Sequence, residues 1–255
     1  DFASQGVMAY WPMEGNANDV TGNGNDGTVI GAVPATGRLG QCYSFDGNSD
    51  IQFTEQFAGM SAQTIAMWVW TDNLVPQPEP GPWGGQMRPY RRRGHHADHE
   101  IVLFSNRGWF PMADVQFDPV NDNWLDISLS NGEWHHIAVS YEEGDFYYYQ
   151  DGLLVHHDGD TLGNIIWSNY RGSHIGNGED AGSNWVGLID EVVILNRALT
   201  PLEASALASD ENDNDIADFW EEASLEGEGE GEGEGEGEGE GEGEGEGGCN
   251  WEEKS

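Results

Sequence analysis

Short runs in which apolar and polar residues alternate recur along the chain, each closed by Gly, Asn or Asp. A period of two is the mark of strands that turn one face to a core. Strands are expected on this basis at residues 7–11, 28–30, 41–45, 50–53, 63–70, 101–104, 124–129, 134–140, 145–150 and 186–195. Pro12 stops the first of them, and the stretch 15–27 that follows is rich in Gly, Asn and Asp. Gln150-Asp151-Gly152-Leu153 reads as a hairpin step, because Asp-Gly tolerates the positive φ that a two-residue turn demands. One short helix is expected at 201–208, with Thr200 as cap, Pro201 at the first position and Glu203 in the first turn. So many strands with so little helix predict an all-β fold of two stacked antiparallel sheets.

Charge narrows the partners. The 255 residues carry 47 Asp+Glu against 9 Lys+Arg, a formal net charge of -38. Residues 226–255 contribute -12 of it, so the tail exaggerates the acidity but does not create it. Phosphate backbones and anionic lipid faces repel such a chain, which excludes nucleic acid as a partner. No apolar run approaches the roughly 20 residues that cross a bilayer, so no membrane insertion is expected. The start at Asp1-Phe2-Ala3 suits a mature protein freed of a signal peptide, and an expressed fragment would look the same. The two cysteines, Cys42 and Cys249, are too few for a disulfide framework.

Five ordered blocks carry a family likeness. Residues 7–53 (VMAYWPMEGNANDVTGNGNDGTVIGAVPATGRLGQCYSFDGNSDIQF) resemble the opening of the laminin-G-like, concanavalin A-like jelly-roll domains of secreted bacterial proteins. TIAMWV at 64–69, EWHHIAVSY at 133–141, YQDGLLV at 149–155 and GLIDEVVILNRAL at 187–199 resemble its later landmarks, in the right order. The resemblance implies a two-sheet jelly-roll sandwich over residues 1–208, outside the cell. Residues 209–222 then form an acidic loop and 223–255 a tail with eleven Glu-Gly repeats. One departure from the family is the long segment 72–99, which holds 5 of the 10 prolines and is expected to be an inserted surface loop.

Catalysis finds no candidate. The same sandwich hosts glycoside hydrolases, whose retaining carboxylate pair must stand about 5 Å apart across the sugar bond. No Glu-x-Asp-x-x-Glu lies on an expected strand, and Asp190 and Glu191 are adjacent, so a regular strand would point them to opposite faces. The expectation is a protein that is not an enzyme.

Calcium is the cofactor that the resemblance implies, held between the first strand, the loop after it and the last strand; the matching positions are Glu14, Asp19, Asn25 and Asp190. Carboxylates, Asn side chains and loop carbonyls are the hard oxygens that Ca2+ takes. A run of Asx turns, with side chains bonded to their own backbone, is the competing reading of the Asn-rich loop. A second segment, 210–221, resembles calcium loops of the EF-hand and thrombospondin-repeat kind. Asp210, Asn212, Asn214, Asp218 and Glu221 fall at loop positions 1, 3, 5, 9 and 12, and Ile216 at position 7 would offer its carbonyl. Asp215 replaces the usual Gly of position 6. An acidic solvated linker is the alternative there.

Residues 87–99 hold four of the nine Lys+Arg and three of the eight His. Arg91, Arg92 and Arg93 are read as a docking point for carboxylates. A transition-metal site at His95, His96 and His99, and a merely soluble loop, remain as alternatives. His135-His136 and His156-His157 read as ordinary strand residues, whereas Trp83, Tyr90 and Trp109 offer faces on which a sugar could stack. The Glu-Gly tail from Glu226 cannot bury apolar surface, so disorder is its default. In a strand its carboxylates would share one face, for calcium or arginine to neutralise. Cys249 would then be placed to bridge two chains, and Cys42 reads as a small core residue.

These readings converge on an extracellular, calcium-stabilised, non-catalytic module that binds a glycan or a surface protein. The rival is a structural subunit that self-assembles into an oligomer or polymer through its acidic tail and the basic insert.

Overall fold

A computed structural model describes residues 2–54, 61–75, 87–93, 99–103, 105–109, 125–142, 144–158, 172–176, 184–212, 214 and 216–220. In chain order these form β1 (Val7–Trp11), β2 (Thr28–Ile30), β3 (Val33–Thr36), β4 (Gln41–Asp46), β5 (Asp50–Phe53), β6 (Ala62–Trp70) and β7 (Met87–Arg93). There follow β8 (His99–Leu103), β9 (Arg107–Trp109), β10 (Leu125–Asp126), β11 (Trp134–Glu142), β12 (Asp145–Gln150), β13 (Leu153–Asp158), β14 (Gly172–Ile175), β15 (Val186–Leu195) and the helix α1 (Pro201–Leu207).

Two antiparallel sheets result. The first runs β13-β12-β11-β6-β15-β4-β3, with β1 also paired to β15; the second runs β10-β9-β8-β7-β14-β5-β2. Alternation along each strand assigns its faces. Ile65, Met67 and Val69 of β6, Ile137 and Val139 of β11, and Ile189, Val192 and Ile194 of β15 meet Ile51, Phe53, Tyr90, Ile101 and Ile175 of the second sheet in one core. A two-layer jelly-roll sandwich is therefore the fold.

The first sheet buries its other face too. Tyr10, Ala66, Ala138, Tyr149 and Val193 pack there against Ala204 and Leu207 of α1 and against Phe219. The helix sits where its sequence starts it. Thr200 Oγ1 accepts the Glu203 N–H at 3.3 Å while the Glu203 carboxylate accepts the Thr200 N–H at 2.8 Å, a closed capping box. The chain then turns at the acidic loop and lays Trp220 on Tyr10, rings stacked at 4.4 Å.

The structure departs from the sequence reading in three places. Residues 87–93 are no surface loop: they form a central strand of the second sheet, between β8 and β14, in which Arg91 is only 6% exposed. Pro89 and four Arg in seven residues hide this strand from the sequence. Strands β3 and β14 were not legible, since Pro34 interrupts the first and Ser173-His174 leave the second without an apolar alternation. Finally, Asp190 and Glu191 do not point to opposite faces. The register of β15 against β6 shifts between Asp190 and Val193, and Glu191 takes φ +52°. Ile189 and Val192 both enter the core, so this bulge turns the two acids between them to the opposite side.

Candidate functional site

The outer face of the second sheet differs in kind from that of the first. Ile51, Tyr90, Ile101 and Ile175 point inward, so their neighbours along each strand point out. Those neighbours are in register: Gln52 of β5 stands opposite His174 of β14, and His174 opposite Arg91 of β7. Asp50, two residues from Gln52, lies on the same face. His174 Nδ1 is 2.8 Å from Asp50 Oδ2, and Gln52 Nε2 donates to the same oxygen at 3.0 Å. Asp50, Arg91 and His174 are each buried, whereas Gln52 is exposed at the end of the row. A carboxylate, an amide, an imidazole and a guanidinium thus cross three adjacent strands. Together they supply both donors and acceptors in fixed positions, which is what reading a pattern of hydroxyl groups requires.

The other carboxyl-bearing position in register with this row is Glu100 of β8, opposite Arg91. Three strand spacings separate β5 from β8, so their backbones lie roughly 14 Å apart.

The acid pair on the first sheet is closed off instead. Asp190 Oδ2 accepts the N–H groups of Arg38 (2.8 Å) and Leu39 (3.1 Å), and Oδ1 accepts that of Glu191 (3.0 Å). The turn 37–40 lies directly over it: a side chain at Gly37 would place its Cβ on Asp190 Oδ2. Burial pushes the Asp190 carboxyl up to about 7, against the pull of those three N–H groups. Glu191 accepts the Tyr10 hydroxyl, and burial raises its carboxyl well above the usual carboxylate range. Beside them the Arg38 guanidinium lies 5.0 Å over the Trp68 ring, which meets His136 edge-on. Burial lowers the His136 imidazole to about 4. Asp190, Glu191 and His136 are all buried.

The expected calcium ligands separate into two places. Asp19 Oδ1 accepts the N–H groups of Tyr10 and Thr21 and the Thr21 hydroxyl, while Oδ2 accepts the N–H and side-chain amide of Asn25. That amide also donates to the Met8 carbonyl at 3.1 Å. Glu14 Oε1 accepts the Gln41 N–H at 2.9 Å, away in the β4 turn with Asp190. Among the described residues no three His, Cys, Asp or Glu side chains gather to hold a metal ion. Asp19 and Asn25 thus bond each other and the first strand, while Glu14 and Asp190 flank the turn before β4.

The second loop is organised by its own oxygens. Asp210 Oδ1 accepts the Asn214 N–H at 3.1 Å, Asn214 Oδ1 that of Ile216 at 2.9 Å, and Asp218 Oδ1 that of Glu211 at 3.0 Å. Asp210, Asn214 and Asp218 thus each accept a backbone N–H from within the same acidic segment. Glu221, Glu226 and Cys249 lie outside the described residues, as do His95, His96 and Trp83, and the side chains of Arg92, Arg93 and Trp109. Arg91, expected at an exposed docking point, is buried in the second sheet, and Tyr90, expected as a stacking face, is fully buried in the core. Cys42 is buried, its thiol 3.3 Å from the Thr36 carbonyl and pushed up to about 12 by burial. The row itself was missed. Asp50 and His174 are 124 residues apart, and only the pairing of β5 with β14 brings them together.

Comparison with known proteins fits this architecture. The laminin G-type family model described as the concanavalin A-like lectin/glucanases superfamily matches residues 45–205. No curated protein gives a significant sequence match. Among solved structures, domain 4 of AbnA, an extracellular GH43 arabinanase from Geobacillus stearothermophilus, in complex with arabinotriose, is 21% identical with a TM-score of 0.61. That match covers 80% of this chain and 98% of the arabinanase domain. The binding domain of Paraclostridial Mosquitocidal Protein 1 is 18% identical with a TM-score of 0.61, over 80% of this chain and 52% of that one. The Botulinum neurotoxin serotype G binding domain is 16% identical with a TM-score of 0.61, over 86% and 51%. The chain thus spans about half the length of the two toxin domains, and at these identities the likeness is one of fold.

Proposed function

Since the chain belongs to the concanavalin A-like lectin/glucanases superfamily, through its laminin G-type family, we propose that it is a non-catalytic, extracellular binding module for a glycan or a surface protein. The observation that carries this reading is the polar row Asp50–Gln52–His174–Arg91 on the outer face of the second sheet. Its hydrogen-bonding groups are held by cross-strand pairing, with Gln52 exposed at the end of the row and Asp50, His174 and Arg91 buried behind it. The neighbours support the class: the arabinanase domain holds arabinotriose, and the toxin domains are named for binding. No helix among the described residues is long and apolar enough to cross a membrane.

Within this proposal calcium belongs to the loop of Asp210, Asn212, Asn214, Ile216 and Asp218. Bound there it would supply charge neutralisation to the junction that seats Phe219 and Trp220, and so stabilise the fold without touching the ligand. A melting temperature raised by calcium and lowered by a chelator tests that part. Self-assembly through Arg91–Arg93 and the Glu-Gly tail is the weaker reading, because Arg91 is buried in a central strand. The experiment that tests the main reading is a glycan array probed with the wild-type chain and with His174→Gln. Recognition lost in the variant supports the row as the site, and recognition unchanged rejects it.

A further inference from the structure

The four ends of the two sheets are guarded unequally. A sheet edge exposes unpaired N–H and C=O groups, and proteins blunt it with short strands, proline or lysine. β3 carries Pro34, β2 has three residues and β10 two. β13 has six residues, no proline and no lysine, and among the described residues it pairs with β12 alone. Its side chains are open as well: Leu153 is 70%, Leu154 45% and Val155 47% exposed, and Leu202 of the neighbouring α1 is 73% exposed. The register against β12 steps from His156 to Leu154, which leaves Val155 with no partner there.

Charge selects the occupant. Residues 142–158 carry Glu142, Glu143, Asp145, Asp151 and Asp158 and no Lys or Arg. His156 and His157 are already beside Asp158 and Asp145. A second copy of a chain with net charge -38, or its own Glu-Gly tail, would bring more carboxylates to this edge. We propose that β13 is a docking edge for an extended, cationic segment of a partner protein, which joins the first sheet as an added strand. Its backbone would pair with β13, its apolar residues would cover Leu153–Val155, and its Lys or Arg would meet Asp145 and Asp158. This surface is separate from the polar row and stands whether or not that row binds a glycan.

The test uses the full chain and two end-blocked peptides, one of alternating lysine and valine, the other of alternating lysine and glycine. Both carry the same charge and bind the acidic tail alike. The proposal expects the lysine–valine peptide to bind at least tenfold tighter and to slow amide exchange across 153–158. It expects that advantage to vanish in Leu154→Lys and in Val155→Pro, the second placed at the residue of β13 that has no register partner in β12. Equal binding of the two peptides, or an advantage that survives both variants, overturns it. So does self-association by sedimentation that Leu154→Lys abolishes, which would make the occupant a second copy.

Discussion

The two sheets share one core and differ in what they do with their outer faces. On the first sheet, α1, Phe219 and Trp220 cover an apolar patch, and the acids beside it are sealed by backbone donors. On the second, the corresponding face carries a carboxylate, an imidazole, a guanidinium and an amide in cross-strand register. The first arrangement is what a chain does to gain stability. The second buries polar groups that cost free energy unless fully paired, and proteins keep such groups where a site requires them. Under the function proposed above, stability falls to one face and recognition to the other.

The largest effect should come from opening the covered face. Phe219 is 5% exposed, and Phe219→Ala should cost about 3 kcal/mol in urea unfolding. It should leave ligand affinity of the folded protein unchanged, and a matching loss of affinity would break the division of labour. His174→Gln reverses the pattern. It removes the imidazole from a buried carboxylate, should cost about 2 kcal/mol, and should abolish recognition.

Titration sharpens the comparison next. The Asp190 carboxyl is raised to about 7 when folded, so the native state holds this proton more firmly than the unfolded chain. Its contribution is present below the unfolded value of 3.8 and is lost as pH rises towards and through 7. Glu191, also raised, acts in the same direction. His136 acts oppositely. Its imidazole is lowered to about 4 from 6.5, so its contribution is intact above 6.5 and is lost as pH falls towards 4. Asp190→Asn should therefore steepen the acid loss of melting temperature between pH 6.5 and 4, and His136→Phe should flatten it. Identical profiles for both variants would contradict the assignment. The smallest effect is at the hairpin: Gly152 has φ +78° and lies against Ser205 of α1, so Gly152→Ala should cost about 1 kcal/mol.

What was legible in the sequence is what neighbouring residues decide. The last strand 186–195, the Asp151-Gly152 turn with both φ positive and the Thr200 cap all follow from a few adjacent side chains. Pairing decides the rest. The bulge at Asp190–Glu191 exists only against β6, and it reverses the facing that a regular strand predicts. The basic cluster reads as a loop until β8 and β14 are seen to flank it. Asp50 and His174 carry no local signal, since each is ordinary until two distant strands align.

The most direct measurement is a glycan array run in parallel on the wild-type chain, His174→Gln and Phe219→Ala, each confirmed folded by circular dichroism at the assay temperature. The account predicts that wild type and Phe219→Ala recognise the same ligand and that His174→Gln does not. Undiminished recognition by His174→Gln, or its loss in folded Phe219→Ala, would contradict the assignment of recognition to the second sheet.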